Sequence, residues 1–408
     1  MTHFPSKRLP RPGLVMAAVA GLVAALGLGA VGEARAAVRP TTTVAATSST
    51  SSTSSSAPTS SAARWTDRAH GFASVAGGTT GGAGGTVVTV TDQAQLAKYA
   101  AAEEPYVIRV KGAVAVEPFG SDIVVTSNKT IIGVGDTGEI VHGELHLNPG
   151  THNVIIRNLT IRDSYVEGDW DGKTTDFDAI QMDTVDHVWI DHNTLTHMGD
   201  GLLDIRKDSQ YITVSYNRFS NHNKAFGIGW TTNVRTQITI DHNWFTGTKQ
   251  RNPSADNCAY AHLYNNYVSA QVADGDPVWT YGNWSRGHTK MVIENGYYDG
   301  VQHPYQADAT AELVERGSIL RNTSGRTDEW GAAFDPREFY AYRLDPAAAV
   351  PALVTRFSGP QARIGAALPP TVPGDHPTVP GDHPTVPGDH PTVPGDHPTV
   401  PGDHPTVR

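Results

Sequence analysis

The chain has 408 residues, room for one large domain or two to three smaller ones, with 31 bases against 41 acids and a formal charge of −10. That balance argues against nucleic acid or an anionic membrane surface as a general partner. The single cysteine, Cys258, excludes an internal disulfide, so burial and backbone hydrogen bonds must hold the fold, and Cys258 itself reads as a small core residue.

Residues 1–36 read as a signal peptide. Lys7, Arg8 and Arg11 precede an uncharged Ala/Leu/Val/Gly run, and Ala34-Arg35-Ala36 offers a small-x-small cleavage site. An uncleaved anchor is the rival, because the run is long. Cleavage removes four bases and one acid, leaving 27 bases against 40 acids, a net charge of −13. An acidic ligand would therefore need local cations or a bound metal. Residues 37–63 are a Ser/Thr-rich linker that cannot build a core.

Order is expected over residues 64–368. The loop Gly77 to Gly85 lacks the GK[ST] ending of a phosphate loop, so it reads as a turn with close backbone approach. A strand at Val87–Val90 follows, then a short helix started by Asp92 and running toward Ala102, then a strand at Tyr106–Val110. From about Lys129 to Asn322 β-branched strands repeat, each ending in asparagine: Asn158, then after a wider first gap Asn193, Asn217, Asn243 and Asn266, with weaker echoes at Asn295 and Asn322. A period of roughly 25 residues without helical patterning indicates a β-solenoid, since propeller blades need nearly twice that. Asparagine at a corner tolerates left-handed backbone and can bond its equivalent on the next coil. The fold class is thus all-β, a parallel β-helix. Residues 369–408 repeat PTVPGDH, a Pro-rich spacer whose Gly-Asp-His copies offer at most weak metal binding.

The chemistry concentrates between Thr175 and Trp230. Asp176 and Asp178 are two apart, so on a strand their carboxylates share a face. Asp200 and Asp204 come about one coil later. Four acids in register would repel unless a hard cation joined them, and oxygen ligands suit Ca²⁺. Taken singly, each acid is as well read as a solvated turn residue, and paired acids also serve hydrolases. Asp191, Asp208 and Asp241 are assigned structural roles. Lys224 lies a coil beyond Asp204 and Arg251 a further coil on; each alone is an ordinary surface cation, but the row of acids, Lys and Arg suits an acidic sugar polymer.

The text from about Gly71 to Asn322 resembles the family 1 polysaccharide lyases, specifically secreted bacterial pectate lyases. The pieces GFASVAGGTTGGAGGTVVTVT, SNKTIIGVG, NVIIRNLTI, DFDAIQM, VWIDHNTL, DGLLDI, SYNRFSNHNK and RNP…AHLYNN occur in that family's order. The resemblance implies a right-handed single-stranded parallel β-helix and calcium-dependent β-elimination of polygalacturonate by a secreted, extracellular enzyme. It places Asp176, Asp178, Asp200 and Asp204 on metal-ligand positions, Lys224 and Arg206 on substrate-binding positions and Arg251 on the catalytic base. A guanidine is ordinarily a poor base, so that role calls for a crowd of neighbouring cations or for alkaline conditions. The chain departs from the family pattern at Asp256, where a second arginine is usual; either Arg235, Arg286 or Lys290 supplies the contact, or substrate preference differs. The implied partner is plant cell-wall pectate; the acidic charge argues against nucleic acid, no stable membrane contact is expected after signal cleavage, and a monomer is the default for a solenoid with capped ends. A pectin lyase acting on methyl-esterified polymer is the alternative enzyme, and a non-catalytic β-helical pectin-binding surface protein the alternative outside catalysis.

Overall fold

Alternation of apolar and polar residues writes the strands, and the repeat stacks them. The computed structural model describes residues 65–269 and 280–366; the signal segment, the linker and the heptad tail lie outside the described residues. Ten strands form one parallel sheet, from Thr86–Val90 through Asp186–Asp191, Gln210–Ser215 and Thr236–Asp241 to Glu312–Arg316. A second face is built of short strands such as Thr160–Arg162, Thr194–Thr196 and Trp244–Gln250. The third face runs Ser121–Val125, Gly143–Leu147, Ile180–Asp183, Gly201–Arg206, then Ser254–Asp256, Tyr281–Arg286 and His303–Ala307. One long strand, Arg218–Gly229, pairs with both the second and third faces. This is the parallel β-helix that the repeat predicts.

Each coil places its apolar side chains over those of the last. Ile156, Ile190, Val214, Ile240, Leu263 and Ile293 form one continuous register column in the interior, all buried. Full burial of such a side chain contributes about 1.5–3 kcal/mol, so the column is a main source of cohesion. Phe219 and Phe245 stack inside with ring centroids 4.7 Å apart. At the N-terminal end a helix, Gln93–Ala100, turns Leu96 and Ala100 into the core; Asp92 caps it by accepting the Gln95 N–H at 2.9 Å. The glycine loop does make the expected close approach, since a Cβ on Gly82 would fall 1.9 Å from the Tyr106 carbonyl oxygen. Cys258 is buried, and burial pushes its thiol up to about 12.

The asparagine corner needs one correction. Asn193, Asn217, Asn243 and Asn266 do form a ladder, each Nδ2 donating to the next Oδ1 at 3.0, 3.1 and 3.0 Å. The left-handed residue at each corner, however, is the one before: His192, Tyr216, His242 and Asn265. Asn158 and Asn295 belong to that preceding position, and Leu159, not Asn158, is equivalent to Asn193, whose Oδ1 accepts the Leu159 N–H. Asn322 sits after the second-face strand Ile319–Arg321, a different corner. The ladder asparagine is thus selected for its two-sided amide, while turn strain falls on its neighbour, whose ring stacks outside the coil (His192–Tyr216 4.9 Å, Tyr216–His242 4.6 Å).

Candidate active site

The third face carries the site. Leu147, Met182, Ile205, Ile228 and Ala255 point inward along it, so the flanking rows point outward. One outward row is His146, Gln181, Asp204, Gly227, Ser254 and Trp284. The next is Asp183, Arg206 and Gly229, followed by the register pair Asp256 and Arg286. Both rows run along the axis, across the coils, as a linear polymer would.

Asp178 and Asp204 meet over Gly201. A Cβ there would lie 2.7 Å from the Asp178 Oδ1 and 3.3 Å from the Asp204 Oδ1, so glycine leaves the room these carboxylates occupy. Asp178 is buried, accepting the Gly201 N–H on one oxygen and the Gln181 side-chain amide at 2.9 Å on the other. Burial, with Asp176 nearby, raises its carboxyl above the usual range; burial and the Asp178 charge raise Asp204 further. Two buried, acceptor-rich acids that repel each other in this way fit a hard cation, which would relieve both terms.

The other two predicted acids are placed differently. Asp176 is exposed at the rim, its carboxylate 3.5 Å from Arg206. Asp200 pairs directly with Lys224 rather than joining the other three. Among the described residues, Asp122, Glu144 and His146, from the two preceding coils, bring ligand atoms within 4.8 Å of one another. That group is internally bonded: Glu144 contacts His146 at 3.1 Å and accepts the Asp178 N–H at 3.0 Å. Burial pushes Glu144 up to about 7. It positions Asp178 from behind, and the sequence offered the same two-residue spacing at Glu144 and His146 as a signal.

Lys224 stands in register with Gly201 on one side and Gln250 on the other, nearly buried. A chain excursion covers it: Nζ donates to the Gly172 carbonyl at 3.4 Å, and Asn223 Nδ2 donates to the Trp170 carbonyl at 3.1 Å. Burial, with the Arg251 and Lys173 charges, draws the ammonium down to about 8, while the Asp178 and Asp171 charges work the other way. His222 donates from Nε2 to the Asp200 carbonyl at 2.7 Å, fixing the backbone of that pair.

Arg206 is already engaged. Its Nε and Nη2 donate to Asp183 at 2.7 and 3.2 Å, a fork that leaves the outer nitrogen toward Asp176. Arg251 holds a left-handed backbone, φ 58°, between strands Trp244–Gln250 and Ser254–Asp256. Its guanidinium lies 5.8 Å from the Trp230 ring, whose side chain is largely in solvent. The loop is pinned to the next coil through Asn252, whose Nδ2 donates to the Tyr281 carbonyl at 2.9 Å. Arg251, Trp230, Ser254, Asp256 and Arg286 line an open cavity of about 260 Å³. Trp230 was not singled out in the sequence, though a tryptophan ending a glycine-rich strand is the signal that marks it.

Asp191, Asp208 and Asp241 are structural, as expected. Asp191 receives Arg157, His192 and Ser215, each at 2.7 Å. Asp208 accepts from Thr231 and Asn233, and Asp241 lies between His70 and His242, both at 2.8 Å.

Comparison with known proteins fits this arrangement. A profile described as pectate lyase matches residues 39–297. A pectate trisaccharide-lyase of Thermotoga sp. (strain RQ2) is 34% identical over 332 residues, covering 73% of this chain and 90% of its own length. A pectate trisaccharide-lyase of Bacillus licheniformis is 30% identical over 309 residues, covering 71% of this chain and 85% of its own. The crystal structure of a pectate lyase from a Bacillus species in complex with trigalacturonate matches with TM-score 0.61 and 28% identity, over 72% of this chain and 99% of that one. The chain belongs to the pectate lyase family and is a polysaccharide lyase.

Proposed function

We propose that the protein is a secreted, calcium-dependent pectate lyase that cleaves α-1,4-polygalacturonate by β-elimination, releasing 4,5-unsaturated oligogalacturonides. The observation that carries this reading is the line of outward groups on one face: the buried pair Asp178 and Asp204, then Lys224, then Arg251 on its own cavity. Asp178 and Asp204 would hold the calcium ion, with Asp176 at the rim and Asp200 facing Lys224. When bound, the ion supplies positive charge to the uronate carboxylate, which acidifies the adjoining C5–H.

The protein's own groups do the rest. Lys224 neutralises the same or a neighbouring carboxylate and stabilises the enolate-like charge that develops on it. Arg251 removes the C5 proton; the electron pair forms the C4–C5 double bond, the bond from C4 to the glycosidic oxygen breaks, and that oxygen takes a proton from water. Trp230 offers an aromatic face beside the reacting sugar. Because a guanidine is ordinarily a poor base, this assignment expects turnover to climb as pH rises above neutral. The Thermotoga and Bacillus licheniformis relatives are pectate trisaccharide-lyases, which supports release of a trisaccharide.

The deciding assay follows ultraviolet absorbance of the new double bond on polygalacturonate, at alkaline pH, with calcium and then with chelator. Unsaturated product that disappears on chelation and returns with calcium is expected. Polymer binding without product would favour the non-catalytic pectin-binding protein, and product only from methyl-esterified polymer the pectin lyase. No described helix is long and apolar enough to cross a membrane; export is tested by locating the processed protein in culture medium.

A further inference from the structure

Arg235, Arg286 and Lys290 are the cations that could stand in for an arginine at Asp256, and their surroundings separate them. Arg235 lies 3.9 Å from Asp208 and Lys290 lies 3.9 Å from Glu312, so both have anionic partners. Arg286 has no ion pair among the described residues. Its guanidinium rests 4.9 Å from the Trp284 ring, and its Nε is buried without a hydrogen-bond acceptor. It lines the same cavity as Arg251. The Tyr281 phenol, buried beneath, is close enough to both arginines for their charges to oppose the upward push that burial gives it.

A buried N–H without an acceptor is costly, and two guanidinium groups on one cavity repel each other. Asp256, the register partner of Arg286, does not relieve this. Its carboxylate lies over Gly287, where a Cβ would fall 2.4 Å from Oδ1, and it makes no ion pair with Arg286. The arrangement is satisfied by an external planar anion, which can accept from a guanidinium in a fork.

We infer that Arg286 is a specificity-determining carboxylate grip. The cavity between Arg251 and Arg286 receives a uronate carboxylate in its free-acid form, with the cation supplied from the coil after Arg251. The identity of the ligand rests on the lyase reading above; the existence of the anion site rests on Arg286. A methyl ester offers no charge to this group, so Arg286 discriminates free acid from ester.

The test compares wild type, Arg286→Gln and Arg286→Lys on polygalacturonate and on highly methyl-esterified pectin. Arg286→Gln is expected to raise KM on polygalacturonate about tenfold with kcat within about threefold, and to lower the acid-to-ester ratio of kcat/KM about tenfold. Arg286→Lys should recover part of that ratio. The ester substrate controls for misfolding, since a general loss would lower both activities together. An unchanged ratio in Arg286→Gln overturns the inference. If wild type yields no unsaturated product at all, the lyase reading fails, and calorimetric titration with trigalacturonate judges Arg286 separately: Arg286→Gln binding as tightly as wild type overturns it.

Discussion

The Asp178 carboxylate accepts the backbone N–H of Gly201, and Gly201 is the register partner of Lys224 on the following coil. One backbone position thus fixes the geometry between the proposed metal acids and the proposed substrate cation. A Cβ there would press on both Asp178 and Asp204. Gly201→Ala should therefore weaken calcium binding about tenfold or more, as loss of ligand orientation does elsewhere. Calorimetric calcium titration, with the calcium dependence of the thermal midpoint beside it, measures this without any assay of turnover; calcium affinity equal to wild type would refute the placement.

Arg251→Lys keeps the charge over Trp230 but moves the nitrogen that meets the C5 proton. Turnover is expected to fall by about 10²–10⁴-fold, the usual worth of a positioned proton acceptor, with KM changed much less. Steady-state kinetics at several alkaline pH values decides; undiminished kcat rules out Arg251 as the base.

Acid should loosen the C-terminal coils. Burial opposes ionisation of Glu294, but hydrogen bonds from His262, Tyr342 and Arg316, with the His262 charge, outweigh it and draw the carboxyl down to about 2. A depressed carboxyl contributes stability above its ordinary value, near 4.5, and that contribution is lost as pH falls from there toward 2. The thermal midpoint of wild type should drop through that window, and Glu294→Gln should show a shallower drop. Parallel curves would contradict the assignment.

The His70–Asp241–His242 cluster works from both sides. Burial opposes each charge, yet the two imidazolium charges hold Asp241 well below the carboxylate range, and Asp241 raises both histidines. The Asp241 contribution is present above its ordinary value and is lost as pH falls. The histidine contributions are present below their ordinary value of 6.5 and are lost as pH rises through the raised folded values. Asp241→Asn should destabilise by about 3–5 kcal/mol near pH 6, because the buried His242 and the part-buried His70 lose their partner, and by less at alkaline pH. Urea unfolding at the two pH values checks the difference.

Asn217 sits mid-ladder. Its Oδ1 accepts the Asn193 N–H at 2.8 Å and the Asn193 Nδ2 at 3.0 Å, and its own amide donates to the Ile190 carbonyl at 3.0 Å and to Asn243. Asn217→Ala strands buried groups on both neighbouring coils and is expected to cost on the order of 3 kcal/mol. Denaturant unfolding gives the value, and a cost near zero would show the ladder to be incidental.

In a stacked coil, spatial neighbours are separated by one near-constant sequence offset, so periodicity alone determined the architecture. Strand alternation, the Asp92 cap and the recurrent asparagine are local signals, and the structure follows them except at the corner, where turn geometry falls on His192, Tyr216 and His242. The same offset aligned Asp178, Asp204, Lys224 and Arg251 on one face. What the sequence could not decide were lateral contacts that break the period. The excursion through Trp170 and Gly172 brings a carbonyl onto Lys224, Asp200 turns to that lysine rather than to the other acids, and Glu144 supports Asp178 from the coil before. Nor could it choose among Arg235, Arg286 and Lys290. That choice depends on which cations find a carboxylate across the coil: Asp208 and Glu312 take two of them, and only the folded arrangement leaves Arg286 facing the Arg251 cavity.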